Sequence, residues 1–580
     1  MKSRQTQPSI LMAVSGLLLW ALLFFLIFQK IDWSIITYGI QSFSLVIVGG
    51  VISVSGFSYS IKFLNYAMAT HYRLRTATKF SQPKHQREID HIISLIFLYN
   101  MSPHIIRLVI PLLLNQLYKS NVSSSVYLST SDIHTYEKEI ELIRSIFNDF
   151  IVSRPDANII IKTVPQQDGM WKKLGAIVPN FRYIREELFS ICKGLYGNRF
   201  NEEEARSING PEQMKTFLKK NNSRILFYYV DGDTVLPSTE EVNFFQKVAN
   251  VLFDSSNNCI AVTTDNFAIC PPNVRGNKSL DAVLDYIYTI YTTDIRYLSR
   301  VVNLTSTSEV TTVTGRSAVT NAMILFDPEF TKVIENSSNY EFGKKVYYVT
   351  GDDKDTRDYY HQIGMKALFL SHLYVYSIEE EPLSNKENWK NYTLPGIWKI
   401  DQRTQKNGMR FARKMVKSKD KIPFILRFRY FMQAYVYYSP VLGPLIAYFT
   451  TVIIVGDYSI LNTGVCFWLF LSTVIKIFEI SYTKILRWKF HSINKKDIFL
   501  FFLLLPQIAT LTRLHHLFVG FQKIFTSNTT DINGYNRVKN KAATLNRKEL
   551  VKRRLLSITQ LLIIISSTYI ISHLGVLGVI

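Results

Sequence analysis

Two aspartates separated by one residue follow a run of strand-forming residues near the middle of the chain. Residues 225–230 read Ile-Leu-Phe-Tyr-Tyr-Val, and Asp231, Gly232 and Asp233 come directly after them. A buried strand that ends in this way places both carboxylates at the carboxyl edge of an α/β sheet, where ligands of such folds bind. Hard oxygen ligands at this edge suit Mg²⁺ or Mn²⁺ bridging a diphosphate. The alternative is a simple turn, because Asp-Gly is common in hairpins.

A second acidic pair, Asp352 and Asp353, follows another apolar run at residues 346–349. The pattern again predicts a strand that ends in carboxylates. A carboxylate near a metal-bound diphosphate can act as general base on an acceptor hydroxyl, provided that it lies within hydrogen-bond reach. The alternative is a helix N-terminus, which acidic residues stabilise through the helix dipole.

Two further segments have residue types that bind phosphate or sugar, although each is weak alone. In Thr314-Gly315-Arg316 the glycine permits close backbone approach, and the arginine can bind a phosphate or a carboxylate. Gln402 opens a basic stretch at residues 402–406, for which an exposed helix face is the simpler interpretation.

The elements that must position these residues lie between about Ser120 and Lys421, where short β-rich runs alternate with charged helical stretches. This alternation predicts one α/β domain with a mostly parallel sheet. Residues 201–206 predict an exposed helix start, and residues 136–150 predict an amphipathic helix. The predicted strands are residues 126–130, 158–164, 225–230, 259–263 and 346–349.

Composition requires a membrane part as well as this domain. The chain has 580 residues, of which 47% are hydrophobic and 19% charged, too apolar for an ordinary soluble enzyme and too charged to be all membrane. The formal net charge of +22 is typical of basic loops on the cytoplasmic face, and nucleic-acid binding is the weaker interpretation. Four scattered cysteines form no C-x-x-C, which argues against a disulfide framework or a zinc site of the usual spacing.

Apolar runs of about twenty residues, long enough to span a bilayer, flank the central domain. The predicted spans are residues 10–28, 35–59, 430–454, 461–480 and 555–577. Residues 92–117 and 498–521 are apolar but interrupted by Pro, His and Arg, so we expect interfacial or re-entrant segments there. Basic residues after the first hairpin place the N-terminus and the central domain in the cytoplasm.

The order of these motifs resembles that of the processive family 2 glycosyltransferases, the group of hyaluronan, cellulose and chitin synthases. Within the group the chain looks most like the alginate polymerases (mannuronan synthases). The resemblance covers nearly the whole chain in architecture, but its motifs occupy only tens of residues. These motifs are residues 230–236, 263–266, 313–316 and 350–354.

The resemblance implies roles for the two acidic pairs. Asp231 and Asp233 would contact the nucleoside diphosphate and its divalent metal, Mg²⁺ or Mn²⁺. Asp353 matches the catalytic base, with Asp352 beside it. The reaction implied is an inverting transfer of a hexose from a nucleotide sugar.

Other motif residues would bind the donor and the acceptor. Thr314, Gly315 and Arg316 match the segment near the acceptor sugar. Asp168, after the predicted strand at residues 158–164, matches the early aspartate that binds the nucleotide sugar.

Gln402 matches the first residue of the family's Q-x-x-R-W motif, which would bind the nucleotide sugar. Gln405 stands where the motif has arginine, and Lys406 stands where it has tryptophan. This departure argues against a plain cellulose or hyaluronan synthase. For several aromatic residues, Tyr430 among them, two roles are expected: stacking on sugars near the entrance of a polymer channel, or forming an aromatic belt at the membrane interface.

The fold that the resemblance implies is an α/β domain of the glycosyltransferase A type, Rossmann-like with a mixed, mostly parallel sheet, inserted between transmembrane segments. The expected parts are an N-terminal hairpin (1–60), a basic connector with an interfacial helix (61–119), the cytoplasmic transferase domain (120–425) and C-terminal helices that form a polymer channel (426–580). Expected partners are a GDP- or UDP-sugar, the growing polysaccharide, the lipid bilayer and export or regulatory proteins, with no nucleic acid.

Two other functions stay open at this point. One is a non-processive transferase that loads a single sugar onto a lipid carrier, which the departed Q-x-x-R-W motif favours. The other is a membrane scaffold or transporter that keeps an inactive transferase domain, which the intact Asp231, Asp233 and Asp353 oppose.

Overall fold

The described part of the chain is built around an eight-stranded sheet with helices on both faces. The computed structural model describes residues 86–98, 101, 103–130, 136–165, 172–240, 242–269, 309–310, 318–342, 345–348, 352–378, 415–416, 418 and 422–436. The elements in chain order are β1 (His91–Leu98), α1 (Pro103–Lys119), β2 (Ser124–Thr130), α2 (Glu137–Ser153), β3 (Ile159–Thr163), α3 (Lys172–Tyr196), α4 (Glu202–Ser207), α5 (Pro211–Lys220), β4 (Ile225–Asp231), β5 (Thr234–Val235), α6 (Phe244–Leu252), β6 (Cys259–Ile269), β7 (Ala318–Asn321), α7 (Pro328–Ser338), β8 (Asn339–Phe342), β9 (Lys345–Tyr348), α8 (Asp352–Gln362), β10 (Lys366–Ile378) and α9 (Phe424–Val436).

The strand order of the large sheet is β3-β2-β1-β4-β7-β6-β10-β5. Strand β1 is parallel to both β2 and β4, β2 is parallel to β3, and β6 is parallel to β10. Strand β7 is antiparallel to β4 and β6, and β5 is antiparallel to β10. The mixed, mostly parallel α/β sheet predicted from the sequence is therefore confirmed.

Alternation along the central strands divides the core into two layers. Ile93, Leu95 and Phe97 of β1 pack on the face that carries α3, α7 and α8. Ile92 and Ile96 pack on the opposite face, against α1, α2 and α6. Since successive strand residues point to opposite faces, a strand covered on both sides is apolar at nearly every position.

This double burial corrects one prediction. Residues 92–117 were expected to form an interfacial or re-entrant membrane segment, but the structure divides them between β1, a fully buried strand near the middle of the sheet, and α1, which packs on it. A parallel strand covered on both faces is as apolar as a membrane segment, so hydropathy alone does not separate the two. The α/β domain therefore begins before the predicted boundary at Ser120.

Other predicted elements agree with the structure. The strands predicted at 126–130, 158–164, 225–230 and 259–263 lie within or overlap β2, β3, β4 and β6, and the helix predicted at 136–150 corresponds to α2. Asn201 caps α4, its side chain accepting from the Glu204 N–H, as the predicted helix start requires. Residues 346–349 largely form β9, but β9 pairs with β8 in a separate two-stranded sheet.

The large sheet curls strongly at the end of β4. Only Gly232 and Asp233 separate β4 from β5 in the chain. In the sheet, however, β5 pairs with β10 and lies four strand positions away from β4. Four strand spacings in a flat sheet are about 19 Å, whereas three residue steps reach at most about 11 Å. The sheet must therefore bend, and Val235 joins the core layer of α1.

Among the described residues, we find no helix that is both long and apolar enough to cross a membrane. The predicted spans lie outside these residues, except that the one starting at Tyr430 overlaps the end of α9. Tyr430 itself is buried, in a small cluster with Met415, Ile422 and Leu426. It is neither an exposed stacking residue nor part of an aromatic belt in this structure.

Candidate active site

Asp231 is the last residue of β4 and lies at the carboxyl edge of the parallel strands. Its register partner is Phe97 of β1, and Leu98 of β1 is in turn opposite Thr130 of β2. Strands β1, β2 and β4 thus end side by side, as predicted for a ligand-binding edge. The Asp231 carboxylate is half-buried. Burial raises the pKa of the neighbouring Tyr228 hydroxyl, and the negative charge of Asp231 raises it further.

Gly232 holds the turn between the two aspartates tightly against β1. Its N–H donates to the Phe97 carbonyl at 3.1 Å. A Cβ atom at this position would lie 2.8 Å from the same carbonyl oxygen and 2.2 Å from Sδ of Met101. Because no side chain fits in this space, glycine is required for the turn to approach β1 so closely.

Asp233, also half-buried, leads directly into β5, where Thr234 is opposite Ser377 and Val235 is opposite Tyr376. Pairing on one side and the Gly232 contact on the other restrain the turn. Two carboxylates on such a turn fit a hard divalent cation, since Mg²⁺ is usually bound by one or two carboxylates with phosphate oxygens and water completing the shell. Within the described ranges, no group of three or more His, Cys, Asp or Glu side chains could hold a metal ion by itself.

Asp265 is a further carboxylate at the same edge. Thr263 of β6 and Tyr228 of β4 pair with the neighbouring β7 residues Ala318 and Val319. Counting on along the strands places Asp265 level with Asp231 and two strand positions away, about 10 Å at the usual strand spacing. Asp265 is 1% exposed, and its carboxylate accepts from the Asn266 N–H at 2.8 Å. The register of β6 and β10 shifts next to it, an irregularity common beside active sites.

The carboxyl end of β2 contributes an amide. Asn180 of α3 is fully buried, and its Nδ2 donates to the Ser129 hydroxyl at 2.5 Å. This contact ties α3 to the edge next to Thr130. Asn180 follows Pro179 inside α3.

Helix α8 brings the second acidic pair toward the same edge. Asp352 is its first residue and Asp353 its second. The pair therefore forms a helix N-terminus, and this position is compatible with a role in the site as well. The helix ends where β10 begins: the Lys366 N–H donates to the Asn258 carbonyl at the amino edge of β6. A helix of eleven residues is about 16 Å long. Because α8 ends at the amino edge and packs along the sheet, its N-terminus lies toward the carboxyl edge.

Buried polar contacts hold the second half of α8. The Arg357 guanidinium forms an ion pair with Glu309, which bridges to Leu368 of β10. The Tyr359 hydroxyl donates to Asp327, just before α7. His361 Nε2 lies 2.9 Å from the Tyr430 hydroxyl of α9. Burial, followed by the positive charge of Arg357, holds the pKa of His361 well below its ordinary value.

Several predicted site residues lie outside the described part of the chain: Asp168, Thr314, Gly315, Arg316 and Gln402. Of these, Thr314 to Arg316 precede Ala318, the first residue of β7, by two to four positions. Since β7 is antiparallel to β4, it begins on the carboxyl side of the sheet. The structure therefore brings Asp231 and Asp233 to the edge, together with the start of α8.

Sequence reasoning did not identify the contacts that support this edge. It included Asp265 in the motif at residues 263–266 without giving it a role, assigned no role to Asn180 or His361, and treated Gly232 only as part of a turn. Alternation around Asp265 and the Pro-Asn pair at 179–180 are weak signals. The remaining contacts join residues far apart in the chain, so no local pattern could have indicated them.

No family model matches the chain. One curated relative, Glycosyltransferase alg8 of Pseudomonas syringae pv. tomato, is 28% identical over 168 residues. The match covers 28% of this chain and 30% of the relative, so less than a third of the relative's length is matched.

The solved structures to which the chain is similar include the following three transferases. Mannosyltransferase PcManGT from Pyrobaculum calidifontis, in complex with GDP-Man and Mn²⁺, has a TM-score of 0.36 and 11% identity, over 83% of this chain and 99% of that chain. GalNAc-T7 with UDP, GalNAc and Mn²⁺ has a TM-score of 0.27 and 9% identity, over 60% and 55%. TarS of S. aureus, residues 1–349, has a TM-score of 0.25 and 11% identity, over 79% and 100%. These TM-scores are too low to establish a shared fold.

Proposed function

We propose that the chain is a membrane-embedded glycosyltransferase that polymerises a nucleotide-activated sugar and moves the polymer across the bilayer. The observation that carries the transferase part is the turn Asp231-Gly232-Asp233, held at the carboxyl edge of β4 by the close packing of Gly232 on β1. This turn offers two carboxylates to a metal-bound diphosphate at the edge where α/β folds bind ligands.

The sequence likeness to Glycosyltransferase alg8 supports the same reaction class. It is independent of the geometry at Asp231, because it compares residues and not positions in space. Within this class we propose the glycosyltransferase A type of fold, a family 2 polysaccharide synthase, and GDP-mannuronate as the first donor to test. The motifs that resemble those of alginate polymerases support this choice.

The reaction that these residues can catalyse is a single displacement, which inverts the configuration at the anomeric carbon of the donor sugar. Asp353 accepts the proton of the acceptor hydroxyl as its oxygen attacks that carbon. The bond from the carbon to the diphosphate oxygen breaks, and its electron pair leaves with the nucleoside diphosphate. A divalent metal held by Asp231 and Asp233 would supply positive charge for the departing diphosphate.

The membrane part of the proposal is supported by the apolar runs of the sequence and by one face of α9. That helix precedes the predicted span and is oriented by its buried residues Leu426 and Tyr430. Four large apolar side chains of the helix are exposed: Phe424, Ile425, Phe428 and Phe431. Exposed apolar side chains that recur at this spacing on a helix are typical of a surface that meets lipid or protein.

The test is nucleoside diphosphate release by the protein in lipid nanodiscs with Mn²⁺ or Mg²⁺, combined with sizing of the product. The donors are GDP-mannuronate, UDP-glucose, UDP-glucuronate and UDP-N-acetylglucosamine. We expect release with one donor and a product of high mass. Release with only a short or lipid-linked product would favour the lipid-carrier transferase, and silence with every donor would favour the scaffold.

Two variants test the residue roles in the same assay. Asp353→Asn should lower turnover by at least about 100-fold, the range of general base catalysis, while nucleotide binding is kept. Asp233→Ala should weaken metal-dependent nucleotide binding by roughly tenfold or more, about 1.4 kcal/mol. The controls are Asp156→Asn and Asp156→Ala, at an exposed aspartate that accepts from Tyr118 before β3. Turnover at the wild-type rate in Asp353→Asn would contradict the assignment of the base.

A further inference from the structure

Helices α8 and α9 are joined by a buried polar contact. His361 Nε2 and the Tyr430 hydroxyl are 2.9 Å apart, and the two rings meet edge to face with centroids 5.8 Å apart. His361 is 6% exposed and Tyr430 is fully buried. Polar groups in such a place keep their partner, because an unpaired buried group costs about 1–3 kcal/mol.

The same end of α8 is held from a second side. Arg357, one turn before His361, is fully buried and pairs with Glu309, and its guanidinium lies beside the Tyr430 hydroxyl. We call these four residues, Glu309, Arg357, His361 and Tyr430, the α8 clamp. It joins α8 to β10 through the bridge of Glu309 to Leu368, and to α9 through Tyr430.

The clamp lies close to the acidic pair along a rigid element. Arg357 is four residues after Asp353 and His361 is eight, which along a helix is about 6 Å and about 12 Å. A helix moves as a rigid body over this distance, so a shift at the clamp reaches Asp353. Misplacement of a reacting group by about 1 Å can lower a rate about 100-fold.

We propose that His361 and Tyr430 are positioning residues: their contact holds α8 against α9 and thereby sets the place of Asp353 at the catalytic edge. The proposal rests on the proposed function, in which Asp353 is the base. Since α9 leads into the predicted membrane span, the position of the base is set by the part of the domain nearest the predicted channel.

The test removes one oxygen atom. Tyr430→Phe keeps the ring contact with His361 and deletes the hydroxyl. The matched control is Tyr196→Phe, which deletes a hydroxyl that donates at 2.6 Å to Asp90, the residue just before β1. Three quantities are measured for each protein in nanodiscs: kcat, KM for the donor, and hydrogen exchange of the backbone amides of residues 352–362.

For Tyr430→Phe we expect kcat to fall about tenfold or more, because the base is displaced. The KM for the donor should stay within about twofold, since the turn at Asp231 is untouched. Exchange in α8 should become faster. Tyr196→Phe should change neither kcat nor exchange in α8. Wild-type kcat and wild-type exchange in Tyr430→Phe would overturn the proposal.

Variants of His361 separate positioning from general stability. His361→Gln can still hydrogen-bond to the Tyr430 hydroxyl and should recover most of the kcat that His361→Leu loses. The double variant His361→Leu, Tyr430→Phe should be no slower than the worse single variant, because both remove the same contact. Additive losses in the double variant would contradict a shared role.

The exchange measurement distinguishes this proposal from the proposed function. If the wild-type protein releases no nucleoside diphosphate with any donor, the proposed function fails. Exchange in α8 still decides whether the Tyr430 hydroxyl holds the helix. Unchanged exchange in Tyr430→Phe would then overturn the clamp, and faster exchange would support the contact without a catalytic role.

Discussion

Gly232 lies where the turn after β4 comes closest to β1. Its neighbours on both sides are the aspartates proposed to bind the metal and the diphosphate, so its lack of a side chain sets where both carboxylates stand. The Phe97 carbonyl is backbone and cannot turn away as a side chain can. A side chain at position 232 therefore requires the turn itself to move.

Gly232→Ala should lower stability by about 1–3 kcal/mol, as overpacking of a tight site usually does. It should also weaken metal-dependent nucleotide binding, because the turn must move away from Phe97. The control is Gly194→Ala in α3, where a Cβ would meet nothing within 4 Å and where alanine is the better helix former. Thermal unfolding and nucleotide titration check both variants, and equal affinity in Gly232→Ala and wild type would contradict the role of the close contact.

His91 offers a second prediction at the scale of one residue. It is 5% exposed, its ring nitrogens lie 2.5 Å from the Ser123 hydroxyl and 3.0 Å from the Ser125 hydroxyl, and burial lowers its pKa to about 4. The unfolded chain binds this proton near pH 6.5, so between these values the unfolded state holds more protons than the folded state. Stability should therefore fall as the pH falls from 6.5 to 4, by at most about 3 kcal/mol from this group.

His91→Gln removes the titrating group, so its stability should depend less on pH over this range than that of the wild type. The measurement is the thermal unfolding midpoint of both proteins from pH 8 to pH 4. Parallel curves for the two proteins would show that His91 does not carry the expected loss.

At the scale of elements, the segment after β5 is held by one side chain of α1. Gln116 is fully buried; its Nε2 donates to the carbonyls of Pro237 and Val242 at 2.7 and 2.9 Å, and its Oε1 accepts from the Phe244 N–H at 2.9 Å. One amide thus makes hydrogen bonds to three backbone groups of this segment. This contact orders the chain from the Asp231 turn to the start of α6.

Gln116→Leu should destabilise the protein by about 3 kcal/mol, because it removes three hydrogen bonds to backbone groups. The control is Gln213→Leu in α5, where an exposed glutamine accepts from the Asn209 N–H at 2.7 Å. Urea unfolding followed by tryptophan fluorescence checks the difference. If the free energy of unfolding falls no more in Gln116→Leu than in the control, Gln116 is not required to hold the segment after β5.

At the scale of the whole molecule, the proposal joins a curled α/β sheet to a membrane part inferred from sequence. The net charge of +22 and the apolar runs on both sides of the domain support this arrangement. In the proposed arrangement, the five spans predicted from the sequence would place the two ends of the chain on opposite sides of the bilayer and the domain in the cytoplasm.

We therefore expect the chain to stay in the membrane fraction after alkaline carbonate extraction. A reporter fused at Met1 should be on the cytoplasmic side, and one fused at Ile580 on the opposite side. A reporter inserted at exposed Glu203, in α4, should be cytoplasmic. Extraction of the chain by carbonate, or both ends on one side, would contradict the proposed arrangement.

The sequence by itself determined the elements whose signals are local. Short runs of β-forming residues predicted β2, β3, β4 and β6, and the acidic residues after β4 predicted the turn at Asp231. Hydropathy failed at β1, because a strand buried on both faces has no polar face to distinguish it from a membrane segment. Hydropathy also did not indicate that β9 lies outside the large sheet, because the residues of a strand do not specify which strand it pairs with.

Only the tertiary structure decided which distant residues meet. The order of the strands, the curl that brings β5 to β10 and the close approach of Gly232 to β1 all follow from packing across the sheet. The α8 clamp joins residues 48 and 69 positions apart. Local sequence patterns depend on neighbours along the chain. Contacts between distant residues depend on how whole elements pack, so only the tertiary structure shows them.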